Sequence, residues 1–154
     1  MKKYLFLLAF GFMPGACTEN KVNEFELDPS DLVIKAGTIC GWCAQNDTLI
    51  ISGQSFRYVN YVQCSTTNPS VRKSGRLETT ETEALLKELN FQEFKKLDLN
   101  TCNVCVDGCD DWITITQGSE KHSIRFGRND SKLQSIRTFV DQLNVLKSKY
   151  SGND

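Results

Sequence analysis

The sequence predicts an α+β fold: an antiparallel sheet built from two hairpins, helices packed on one face, and disulfides as staples. Three observations carry this. Two pairs of alternating apolar segments are each separated by two residues that include glycine, at Gly53-Gln54 and Gly118-Ser119, which is the signature of tight hairpins. Three later stretches repeat apolar residues at the helical period. Of six body cysteines, Cys40, Cys43, Cys102, Cys105 and Cys109 crowd the segments before the two hairpins, and Cys64 follows the first. Hairpins impose antiparallel pairing, and a helix with one apolar face buries it against a sheet.

The chain starts with a basic Met1-Lys2-Lys3 and an apolar run, Tyr4 to Phe12, too short to span a bilayer. Small residues Gly15 and Ala16 then precede Cys17, which resembles the lipobox of bacterial lipoproteins, whose cysteine is acylated on sulfur. The alternative is ordinary cleavage after Ala16, leaving a free thiol on Cys17. Residues 1–16 are thus expected to be a lipoprotein signal peptide. Residues 17–30, with Glu19, Glu24, Glu26 and Asp28, are expected to be a lipidated tether; the alternative is a first strand around Phe25 and Leu27. Residues 31–150 make a single domain.

Residues 31–36 read as a strand ending at Gly37. In the first hairpin, a two-residue loop sets Ile51 opposite Phe56 and Leu49 opposite Tyr58, all on one face. Residues 64–75, rich in Ser, Thr, Asn and Gly, read as a loop, and Arg76–Thr80 as a further strand. Thr80-Glu81-Thr82-Glu83 has capping-box spacing and opens a helix carrying Leu85, Leu86 and Leu89. Asn90 to Glu93 repeats that spacing for a short helix with Phe91, Phe94 and Leu97 inward. A loop from Thr101 to Asp111 leads to the second hairpin, Trp112–Gln117 and Glu120–Phe126, which sets His122 opposite Ile115. Asn129, Asp130 or Ser131 caps the last helix, whose stripe is Leu133, Ile136, Phe139, Val140, Leu143, Leu146 and Tyr150.

The 154 residues hold 18 Lys and Arg against 19 Asp and Glu, a net charge of −1. Loss of Lys2 and Lys3 with the signal peptide makes the mature chain more acidic. No basic footprint for nucleic acid exists in this balance, and no polybasic patch for anionic lipid, so membrane attachment is expected to rest on acylation. There is no repeat of solenoid period and no low-complexity tract.

Cys40-Gly41-Trp42-Cys43 has the spacing of a thiol–disulfide oxidoreductase, but it leads into a strand where such a thiol needs a helix N-terminus. Cys40 and Cys43 are expected instead to pair with more distant cysteines. With Cys102 and Cys105 they also match a four-cysteine zinc site, a pattern weakened where thiolates oxidise. All six body cysteines are assigned to disulfides, and fifteen pairings are open. The acidic loop from Asp107 to Asp111 fails the spacing of a calcium loop. His122, the single histidine, is expected to be a partly buried structural residue. No catalytic residue, metal or cofactor is assigned. Trp42 and Trp112 adjoin the cysteine clusters and are expected in the core. Were they exposed, they would form a candidate binding surface with Asp107, Asp110 and Asp111.

The lipobox-like start, Cys40-Gly41-Trp42-Cys43 before one hairpin, and Cys102-x-x-Cys105-Val-Asp-Gly-Cys109-Asp before the other resemble a family of uncharacterised bacterial cell-envelope lipoproteins with a cysteine-rich domain. The resemblance implies a cell-envelope location and a membrane held through a lipid on Cys17; the family has no assigned activity to carry over. The leading expectation is a non-enzymatic envelope module that binds or inhibits a protein partner. The alternatives are an oxidoreductase using Cys40 and Cys43, and a structural part of an envelope complex. The oligomeric state is left open.

Overall fold

The structure is a computed structural model that describes residues 31–61 and 69–152. The signal-peptide, acylation and tether expectations, Cys17 included, lie outside these residues. So do Cys64 and the side chain of Cys43, and with them those two cysteines' disulfide assignments.

Six antiparallel strands form one sheet in the order β4-β3-β2-β1-β5-β6. Strands β1 (Leu32–Cys40), β2 (Asp47–Ser52), β3 (Ser55–Tyr61) and β4 (Pro69–Arg76) run as a meander. The hairpin of β5 (Cys109–Gln117) and β6 (Glu120–Phe126) joins the other side of β1. The fold is α+β with disulfides, as expected. Hairpin register follows from turn length: Ile51 faces Phe56, Leu49 faces Tyr58 and His122 faces Ile115. Gly53 and Gly118 both take φ of 55°, the left-handed conformation that two-residue turns require and glycine supplies without steric penalty.

Helices α1 (Thr79–Glu88) and α2 (Phe91–Lys95) bridge β4 to β5, and α3 (Arg137–Ser151) follows β6 through a 3-10 turn over Ser131–Ile136. The first cap lies earlier than expected, because Glu78 donates its backbone N–H to Glu81 and so starts the helix at Thr79. Asn90 accepts from the Glu93 N–H, and Asp130 from the Lys132 N–H. All three helices lie on one face, where Ile34, Leu49, Ile113, Ile115, Ile124 and Phe126 meet Leu85, Phe94, Phe139 and Leu143 in a single core. Alternation sends the other half of the strand residues to the opposite face, which no described helix covers.

Two strand expectations need correcting. β1 runs on through Gly37 to Cys40, because Gly37 sits inside the sheet with the Asp47 carbonyl and the Trp112 ring packed where a Cβ would stand. β4 occupies Pro69–Arg76, within the segment expected to be a loop and before the strand expected at Arg76–Thr80. It is an edge strand, so its Ser, Gly, Lys and Arg need no apolar alternation.

Candidate functional site

Two turns meet at the end of the sheet where β1 finishes and β5 starts. The first spans Gly41–Cys43 and the second Asn103–Val106. Cys40 and Cys109 stand opposite each other in the ladder and are joined by a disulfide. A second disulfide joins Cys102 to Cys105 across the other turn. The Gly41 N–H donates to the Gly108 carbonyl at 2.8 Å. A Cβ on Gly41 would stand 2.7 Å from the Asp107 Cα, so glycine is what lets the two turns touch.

This tip carries two of the three exposed large apolar side chains among the described residues. Trp42 is 80% exposed and Val106 79%. The core expectation for Trp42 is therefore corrected: its φ of 52° throws the side chain outward. Among the described residues, Trp42 and Asp107 are the only non-glycine positions at positive φ, and both belong to the tip. Such backbone persists only where its surroundings over-determine it, and it clusters at functional sites.

The candidate surface does not form one patch. Asp107 is exposed beside Trp42's turn, but Asp110 and Asp111 are buried and point to opposite faces of β5. Asp110 accepts hydrogen bonds from Thr101 Oγ1 at 2.7 Å, Asn103 Nδ2 at 2.9 Å and the Val104 N–H at 3.1 Å. Burial opposes its ionisation, but these donors outweigh it and hold its carboxyl below the ordinary range. Asp110 thus ties down the turn bearing Val106. Trp112 is half-buried and lies against Gly37 on the uncovered face of the sheet, not in the core.

Asp111 belongs to a second cluster that the sequence reading missed. Thr38 of β1 sits between Asp47 of β2 and Asp111 of β5 on the core face. Its N–H donates to Asp47 at 2.8 Å, and its hydroxyl donates to Asp111 at 2.5 Å. Lys147 of α3 donates to the Thr38 hydroxyl and lies 3.6 Å from Asp47 and 3.9 Å from Asp111. Gln45 and Tyr58 complete Asp47, and Arg128 stands 3.7 Å from Asp111. Burial, then the Asp47 carboxylate, pushes the Tyr58 phenol up to about 12, so it remains a donor at all ordinary pH. An open cleft of about 430 Å³ adjoins this cluster. Two carboxylates face two cations here and all are mutually paired, so the cluster fastens α3 to the end of the sheet. The legible signal was a polar residue at core parity on three adjacent strands: Thr38 after Ile34 and Ala36, Asp47 before Leu49 and Ile51, Asp111 before Ile113 and Ile115.

The remaining chemistry-bearing residues take structural places. His122 Nε2 bonds the Leu97 carbonyl at 2.8 Å, and its ring meets Phe94 edge-on. Cys40 is bonded to Cys109, so the C-x-x-C that closes on itself is Cys102–Cys105, not Cys40–Cys43. A low-pKa thiol at Cys102 would need free turn N–H groups, but the Asp110 carboxylate already holds the one on Val104 and adds negative charge beside it. No described group of three or more His, Cys, Asp or Glu is placed to hold a metal ion.

No described helix is long and apolar enough to cross a membrane. Comparison with protein-family models finds no match, and comparison with curated proteins finds no relative for this chain.

Proposed function

We propose that this protein is a non-enzymatic binding module of the cell envelope, anchored by acylation at Cys17 and gripping a protein partner through its stapled tip. One observation carries the binding half: the two most exposed large apolar side chains among the described residues, Trp42 and Val106, belong to two adjoining turns that two disulfides pin. Tryptophan is enriched where binding energy concentrates, and a rigid turn lowers the ordering entropy lost on association. The anchoring half is supported by the basic and apolar start before Cys17.

Both halves are testable in cells. A photo-reactive residue at position 42 should give a discrete cross-linked adduct that a probe at Lys132, on the helical side, does not give. Val106→Asp should abolish that adduct. Absence of any adduct at position 42, in protein shown to reach the envelope, would sink the binding reading. Labelled fatty acid should join the wild-type chain and not Cys17→Ala, and failure there would sink the anchor.

A further inference from the structure

The uncovered face of the sheet sorts charge in a way that composition conceals. Ladder register arranges its outward side chains in three cross-strand rows. The first runs from Arg76 of β4 through Val33 of β1 to Lys121 of β6. The second holds Arg57 of β3 and Lys35 of β1. The third runs from Arg72 of β4 through Gly37 of β1 to Arg125 of β6. Each row thus carries two cations, and its other positions are Ser, Thr, glycine or apolar. The one carboxylate on the face, Asp110, is fully buried at its end beneath the Asn103–Val106 turn. Asp98 stands only at the margin, beyond the edge of β6. Five of the six cations are exposed, and none makes an ion pair among the described residues. From strand spacing, the face spans about 24 Å across and about 13 Å along the strands.

We propose that this face docks on the anionic phospholipid surface of the membrane. The proposal rests on the lipid-anchored reading above and corrects the expectation that no polybasic patch exists. Charge complementarity selects an anionic occupant. A cleft of about 510 Å³ opens beside Arg125, but no other cation of the grid lines it; the rest are spread over the open face, which suits mobile headgroups that gather under each charge better than a partner of fixed shape. Position selects the bilayer. The chain preceding Asp31 leads back to Cys17, and residues 17–30 span at most about 50 Å even when extended. They join the sheet at β1, whose own Lys35 belongs to the grid. A diacylated cysteine is a stable anchor by itself, so the basic face would set how the tethered domain lies on the surface.

The test is vesicle flotation of the mature chain, residues 17–154, carrying Cys17→Ser so that no acyl group contributes. Residues 17–154 retain every residue of the described core, which starts at Leu32. It should float with vesicles that mix phosphatidylglycerol into phosphatidylcholine, not with phosphatidylcholine alone, and molar salt should release it. The triple variant Lys35→Gln, Arg57→Gln, Lys121→Gln should weaken binding about a hundredfold, from about fivefold per basic residue near an anionic surface. A control triple on the helical side, Lys87→Gln, Lys96→Gln, Lys132→Gln, removes the same charge and should change binding little. Equal loss from both triples, or equal flotation with neutral vesicles, overturns the proposal. So does binding that emerges only when Glu19, Glu24, Glu26 and Asp28 are neutralised, which would assign the face to the chain's own acidic segment. Fatty-acid labelling is read separately, so failure of the anchor and failure of the face are distinguishable.

Discussion

Trp42 is held against its own backbone preference. A left-handed conformation costs an L-residue about 1–2 kcal/mol, and an 80% exposed ring recovers little by packing. Trp42→Gly should therefore raise stability, by about 0.5–1 kcal/mol after glycine's looser unfolded chain is offset, while abolishing an adduct formed by a photo-reactive residue placed at position 106 instead. Denaturant midpoints beside cross-linking yield check both. A loss of stability would mean the ring packs more than its exposure shows. Asp110 makes the opposite case, a side chain all of whose value is structural. Its folded pKa is depressed, so its stabilisation is complete above the ordinary 3.8 and is lost as pH falls through and below that value. Asp110→Asn should destabilise by about 2 kcal/mol near neutral pH. The gap from wild type should narrow below about pH 4 in urea titrations, and a gap independent of pH would refute the assignment.

At the scale of elements, the two disulfides differ in what they constrain. Cys40–Cys109 closes a separation of 69 residues and Cys102–Cys105 one of 3. Loop-closure entropy then assigns about 4 kcal/mol to the first and about 2 kcal/mol to the second. The double variants Cys40→Ser with Cys109→Ser, and Cys102→Ser with Cys105→Ser, should rank that way in chemical denaturation. Lys147→Ala should cost about 3 kcal/mol, because it strips the central cation from Asp47 and Asp111 inside the α3–sheet junction. A much smaller loss would show that water or Arg128 takes over. The hairpins were legible because a two-residue turn fixes parity, and parity fixed the positions of Leu49, Phe56, Tyr58 and His122. β4 was not, because an edge strand of Ser, Gly and basic residues carries no apolar period. The end of β1 was misplaced because Gly37 breaks a pattern in sequence without breaking the strand. The Thr38–Asp47–Asp111–Lys147 cluster joins residues as much as 109 positions apart, and only the strand order puts them together.

For the whole molecule, charge is the property that sequence totals misrepresent. A net charge of −1 is true of the chain and of neither side of the sheet. The face away from the helices is cationic at every charged, exposed strand position. Eight of the described acids, Glu78, Glu81, Glu83, Glu88, Glu93, Glu120, Asp130 and Asp141, belong to the helices, their caps and the side they cover. Some are in pairs: Glu81 accepts from Lys149 and Tyr150, which hold it ionised despite its partial burial. Trp42 was singled out in the sequence but expected in the core, since no residue pattern announces a positive φ.

β1 is also the shortest path between the two ends of the molecule that matter. The chain enters it at Leu32, and about 26 Å later it reaches Cys40, one residue pair from the tip. Force applied between an anchored N-terminus and a partner gripping Trp42 would therefore load this strand lengthwise. It is already extended, so the force would run through its covalent backbone, and the antiparallel ladders on either side would not have to break. The Cys40–Cys109 bond would pass the same tension into β5 at the loaded end. Single-molecule pulling from Leu32 and Trp42 should therefore show no unfolding step of domain length, oxidised or reduced, and such a step would refute the geometry. If the proposed anchor and partner both hold, β1 would carry the tension between them along its own backbone.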